Sequence, residues 1–238
     1  MLGVTMKIFA GTMCAVVLLA EGVAFADDAP AQATQDPEVA KLADGHSVKW
    51  NYVPAGKTAR YGHSEVLISA PASYVRELML DYAHYKDFSA GKFKTSRVVD
   101  KTDTSTDLYI QVPLFHGMIM LWQVLRFENL HPTSNGTEVL HGSYVRGNVK
   151  GSEVTFTMRP VGDKTILKAD LVVAPDFAAP QSAIDEELRD ACQNAVDAVQ
   201  ARAQQRFAQY LAQHAPEQQQ PPAVASSTPA SPPPQQNQ

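Results

Sequence analysis

Cysteine is nearly absent: 238 residues hold only Cys14 and Cys192. Cys14 falls in the apolar run 8–20, which follows Met6-Lys7 and leads to Ala24-Phe25-Ala26 before Asp27-Asp28. A basic start, a short apolar stretch and an A-x-A site have the form of a secretory signal peptide over 1–26, cleaved after Ala26. The run is shorter than the ~20 residues that a membrane span needs. Gly11-Thr12-Met13 is a poor lipobox, which argues against a lipoprotein. Cleavage leaves Cys192 alone. An exported chain of this kind folds without an intrachain disulfide, and its core must suffice. Cys192 sits on the apolar face of the last helix, where a small buried hydrophobe is the expected role rather than a reactive thiol.

Charge of one sign is also lacking. The formal net charge is −5, and it is unchanged when Lys7 and Glu21 leave with the signal peptide. Lys and Arg are scattered, so no nucleic-acid footprint is expected. Strong adsorption to anionic lipid is not expected either, although transient membrane contact is.

Catalytic signatures are missing as well. The sequence has no G-x-S-x-G, no Gly-rich phosphate loop and no H-E-x-x-H. His63, His84, His116, His131 and His141 stand far apart. A metal site needs several ligands together, so surface or hydrogen-bonded histidines are expected and no metal or cofactor is assigned. Asp81 reads as a helix cap rather than an acid catalyst.

What is present divides by composition. Residues 27–45 are rich in Ala, Asp, Gln and Pro and read as a linker. Residues 215–238 are almost entirely Pro, Gln, Ala and Ser, with too little apolar surface to offset ordering entropy, and read as disordered. Between them lie about 170 residues, 46–214, enough for one domain. No internal repeat is evident.

Inside that domain, 47–52 alternates weakly and fits an extra edge strand. The segment 59–70 is a strand with Val66 and Ile68 on one face, and Pro71 opens a helix whose Val75, Leu78, Met79, Tyr82 and Tyr85 repeat at helical spacing to about Phe88. Strands then follow at 96–103, 107–115, 117–130, 137–146, 153–160 and 165–174. Asn135-Gly136 is the strongest hairpin signal, since both residues tolerate positive φ. Leu167, Ala169, Leu171 and Val173 form one clean strand face. A long helix runs over 182–214, with Ser182 as N-cap and Asp185, Glu186 and Glu187 in its first turn. Ile184, Leu188, Ala191, Cys192, Ala195, Val199, Phe207 and Leu211 trace its apolar stripe. Its alanines either bring helix and sheet close together or leave room for a ligand.

One strand and a short helix, then a run of antiparallel strands, then one long helix is the order of an α+β protein with a cavity between sheet and helix. Several stretches carry a resemblance: Val66-Leu67-Ile68-Ser69-Ala70-Pro71-Ala72, Val75, Leu80-Asp81-Tyr82, Tyr85, Ser96-Arg97-Val98-Val99, Trp122 with Arg126-Phe127, and Glu187-Leu188-Arg189. In this order, over about 59–212, they resemble the START-like (SRPBCC, birch-pollen-allergen) superfamily, whose bacterial members include polyketide cyclases and coenzyme-Q-binding proteins. The resemblance implies a helix-grip fold, a curved antiparallel sheet of about seven strands around the C-terminal helix, and an apolar cavity.

The cavity-lining expectation is Tyr82, Tyr85, Val112, Met118, Met120, Trp122, Phe156, Met158 and Leu188. Met118, Met120, Trp122 and Arg126 share strand parity, which places Arg126 either as an anchor for a ligand head group or as a strand-end arginine reaching water. The same apolar residues also fit ordinary core. The expected function is non-enzymatic binding or transport of a hydrophobic small molecule, such as a lipid, sterol, quinone or polyketide, by a periplasmic or secreted monomer. A cyclase- or hydrolase-like enzyme using cavity polar residues and an envelope protein-interaction module are the alternatives.

Overall fold

The computed structural model describes residues 36–89 and 91–214. The segment 1–26 read as a signal peptide, the first part of the expected linker (27–35) and the Pro/Gln-rich stretch 215–238 lie outside the described residues. Helix α1 spans Pro37–Lys41, α2 Ala72–Leu80, α3 Tyr85–Phe88 and α4 Gln181–His214. The strands are β1 (Val48–Tyr52), β2 (Tyr61–Ile68), β3 (Thr95–Lys101), β4 (Ser105–Leu114), β5 (Ile119–Glu128), β6 (His131–Pro132), β7 (Glu138–Gly147), β8 (Val149–Val161) and β9 (Lys164–Pro175). They form one antiparallel sheet in the order β1-β2-β9-β8-β7-β5-β4-β3, with β6 paired to β7. The seven expected strands are joined by the edge strand β1 and the two-residue β6.

Turn chemistry sets the order. Gly136 has φ 75° and closes the hairpin into β7, where Thr133 N–H donates to the Thr137 carbonyl at 2.7 Å. The expected first helix is broken: Asp81 caps α2, and a 3-10 turn, Tyr82–His84, separates it from α3. The last helix starts one residue early, with the Pro180 carbonyl accepting from Ala183 and Ile184. Asp185 therefore leaves the first turn. It is 6% exposed and is held by Arg60 at 2.8 Å and Gln181 at 2.8 Å.

The core lies between α4, α2 and the concave sheet face. Val66, Ile68, Leu108, Leu125, Phe127, Leu140, Phe156, Met158 and Leu167 come from the sheet, and Cys192, Val196, Val199 and Ala203 from α4. The stripe on α4 stops short of Leu211, which is 51% exposed. Cys192 is buried, its thiol meets the Gly62 carbonyl at 3.2 Å, and burial raises its pKa. Gly62 is what lets α4 sit this close: a Cβ there would lie 2.4 Å from the Leu188 carbonyl carbon.

Residues 36–45 are not linker. The Asp36 side chain accepts from Glu38 N–H at 2.9 Å and caps α1. Leu42 is fully buried with Leu67 and Ile166 on the convex face of the sheet. Arg159 reaches Asp36 and Glu38, both at 2.6 Å, and Lys41 reaches Glu65 at 2.7 Å. The local signals of α1 are only the Asp36 cap, Pro37 and the i,i+3 pair Val39 and Leu42, and its docking rests on contacts distant in sequence.

Candidate functional site

Strand alternation from the core residues defines the concave face. On β4 it continues Leu108 and Ile110 to Val112 and Leu114; on β5 it continues Phe127 and Leu125 to Gln123, Leu121 and Ile119. Helix α4 lies against β1, β2 and β9. The concave residues Val112, Leu114, Ile119, Leu171 and Val173, nearer its first turns, are only partly buried. Polar groups here are few. Gln123 is 3% exposed, and its side-chain oxygen accepts from the Ser152 hydroxyl at 2.6 Å. At this end the turn Phe115–Gly117 has φ 48°, 59° and 88°, and Phe115 N–H donates to Glu187 of α4 at 2.9 Å. Phe115 also meets Phe177 edge-on at 6.2 Å.

At the other end, the segment of the 3-10 turn and α3 enters the concave space. Its Tyr82 and Tyr85 are each 8% exposed, with ring centroids 5.5 Å apart. The Tyr85 hydroxyl donates to the Met79 carbonyl, and burial first, then the neighbouring Tyr82 and Asp81, raises its pKa well above the usual value. Burial pushes the Tyr82 phenol up to about 12. A cleft opens on each side of this segment. One, of about 620 Å³, runs between Asp81, His84 and Lys92 and the α4 residues Asp197, Ala198, Ala201, Arg202 and Arg206. The hydrogen bond to Asp81 at 2.6 Å raises the His84 pKa. The other, of about 440 Å³, is walled by Leu80, Tyr82, Val98, Phe127 and Leu130, with Lys101 and Thr106.

The expected lining residues divide between the two faces. Tyr82, Tyr85, Phe156 and Met158 are concave core, Val112 packs at its edge, and Leu188 is buried where α4 meets Gly62. Met120, Trp122 and Arg126 take the opposite parity and do not line the concave space, and Met118 lies in the turn before β5. Met118 is 82% exposed, Trp122 stacks on Tyr109 at 6.1 Å, and Arg126 makes two hydrogen bonds to Asp107, at 2.7 and 2.8 Å. Both faces of β5 are apolar, so alternation alone left its phase open. The cross-strand Asp107–Arg126 pair is the signal in the sequence that marks the outer face. Thr106, Val98 and Leu130, missed by the sequence reading, share the concave parity or its rim.

The histidines do not converge on the groove. His63 lies on the convex face, its Nδ1 2.7 Å from Asp170, which also accepts from the Tyr52 hydroxyl at 2.8 Å. His63 Nε2 has no hydrogen-bond partner among the described residues, and Glu65 is 3.6 Å away. Trp50 covers the ring at 4.1 Å. Burial first, then the bond to Asp170, raises the Tyr52 pKa. His141 meets Glu153 at 3.2 Å and His131 meets Glu128 at 3.4 Å. Among the described residues there is no group of three or more His, Cys, Asp or Glu able to hold a metal ion.

No family model and no curated protein matches the sequence. Solved structures do match in fold. A STAR-related lipid transfer protein from Xanthomonas axonopodis superposes with a TM-score of 0.57 at 14% identity, over 66% of this chain and 93% of that one. Human StAR-related lipid transfer protein 5 gives 0.53 at 12% identity, over 68% and 84%. A START superfamily protein from Mycobacterium smegmatis gives 0.50 at 16% identity, over 61% and 97%. The fold is the START-like helix grip. At these identities the likeness is one of architecture, and a shared fold alone assigns no site.

Proposed function

We propose that the helix-grip domain binds or carries a hydrophobic small molecule, a lipid, sterol, quinone or polyketide-like compound, between α4 and the concave sheet face. The observation that carries this reading is an apolar concave face that α4 and the 82–88 segment leave incompletely covered, with a cleft on either side of that segment. Two of the similar structures are lipid transfer proteins by name, which supports the same reading. Burying about 300 Å² of ligand at about 25 cal/mol/Å² yields roughly 7 kcal/mol. That offsets the entropy of association without a catalytic group.

The test is a fluorescence titration with N-phenyl-1-naphthylamine, followed by displacement with lipids, sterols and quinones. Saturable, displaceable binding is expected in wild type and in the outer-face variant Met120→Arg, and its loss in the concave-face variant Val112→Arg. Binding that tracks Met120 instead, or none in wild type, defeats the proposal.

We further propose that the protein works outside the cytoplasm as a monomer, touching membranes only transiently. The support is the signal-peptide form of 1–26 and the modest negative charge. Fractionation with N-terminal sequencing should find a soluble chain beginning at Asp27. An intact Met1 in a membrane fraction contradicts export.

A further inference from the structure

The cleft beside β3, β4 and β5 has a polar feature that the packing of the core does not explain. Leu80, Val98, Phe127 and Leu130 make its walls apolar. Tyr82 and Thr106 also line it, and each is only 8% exposed. Both flank Phe127: Thr106 is its cross-strand partner, and the Tyr82 ring lies 5.2 Å from it. Neither hydroxyl has a hydrogen-bond partner among the described residues, yet neither is among the sealed polar atoms left without one, which are His63 Nε2 and Thr137 Oγ1. The two oxygens therefore keep access to the cleft. Such hydroxyls can exchange a bond to water for one to an acceptor that a ligand brings into the apolar cleft.

The chemistry of that ligand follows from the donors and the rim. The Tyr82 phenol, raised to about 12 by burial, stays protonated and can donate at neutral pH. Three charged groups line the cleft: Lys101, Glu128 and Asp81. Asp81 is engaged by His84 at 2.6 Å and Arg206 at 3.7 Å, and Glu128 by His131 at 3.4 Å. Lys101 and Glu128 are exposed and Asp81 is half-buried, so water at the rim screens these charges and they offer an anion held at the buried hydroxyls little attraction. A carbonyl oxygen needs none, and its two lone pairs suit hydroxyl donors.

We infer that this cleft receives the carbonyl end of a neutral apolar molecule, a ketone, ester or quinone, through the Tyr82 and Thr106 hydroxyls. This rests on the proposed binding of a hydrophobic ligand and names its class.

Three probes with the same apolar body separate the possibilities: 2-acetylnaphthalene, 2-ethylnaphthalene and 2-naphthoate, titrated calorimetrically into the full chain. The expected order places the ketone first and the carboxylate at least about tenfold weaker, because its charge is buried without a partner. Tyr82→Phe and Thr106→Val should each weaken the ketone by about 2- to 10-fold, one hydrogen bond's worth, and leave the ethyl compound unchanged. The wild-type order is read without any variant, so a variant that misfolds does not stall the test. Equal binding of ketone and ethyl compound, or a preference for the carboxylate, overturns the carbonyl inference while the hydrophobic-binding reading stands. Failure of all three probes to bind overturns both.

Discussion

Trp122 and Phe127 belong to the same ten-residue strand and have opposite fates. Phe127 is 3% exposed in the concave core, whereas Trp122 is 36% exposed and stacks on Tyr109 outside. Sequence alternation locates both residues on a strand and separates them into two sets. It does not say which set faces inward, because Met118, Met120 and Trp122 are as apolar as Leu121, Leu125 and Phe127. The phase is decided by the neighbours: Asp107 opposite Arg126 needs the outer face, where the arginine stays half in water. The energetic consequence is measurable by urea unfolding. Phe127→Ala should cost about 3–5 kcal/mol by opening a cavity, against about 1 kcal/mol or less for Trp122→Ala. Equal costs would show that the assigned phase is wrong.

Elements differ in how far local sequence specifies them. The strands β2 to β5 and β7 to β9 and helix α4 are legible because Gly, Pro and Asn mark their ends and alternation or helical spacing fills them. Helix α1 is not legible: its five residues are held by Arg159, Lys168 and Glu65, which lie far away in sequence. Its docking should depend on pH. Hydrogen bonding to Arg159 lowers the Asp36 pKa; for Glu38, burial raises the pKa but bonds to Lys168 and Arg159 outweigh it and leave it lowered. A carboxylate whose folded pKa is depressed contributes stability above its unfolded value and loses it as pH falls through the folded one. Helix α1 should therefore stay docked at neutral pH and loosen below about pH 4. Hydrogen exchange over 37–44 should accelerate there before the β-sheet amides do. Synchronous exchange, or undocking near pH 6, contradicts this account.

At the scale of the whole molecule, the α+β order and the helix grip were legible, because a run of hairpins followed by one long helix has few compact solutions. The site was legible only in part. Helical and strand periodicity puts Tyr82, Tyr85 and Val112 on the concave side, as the structure does, whereas the segment around 82–88 that divides the groove into two clefts depends on a break at Asp81 that spacing does not reveal. The concave face and its incomplete cover point to an apolar guest, and the Tyr82 and Thr106 hydroxyls at one mouth to an acceptor group on it. Native mass spectrometry of the protein purified from its own cells, followed by solvent extraction, tests that claim most directly. The account predicts one apolar molecule per chain, released by organic solvent and identifiable by mass. A ligand-free chain that takes up no lipid, sterol or quinone would contradict it.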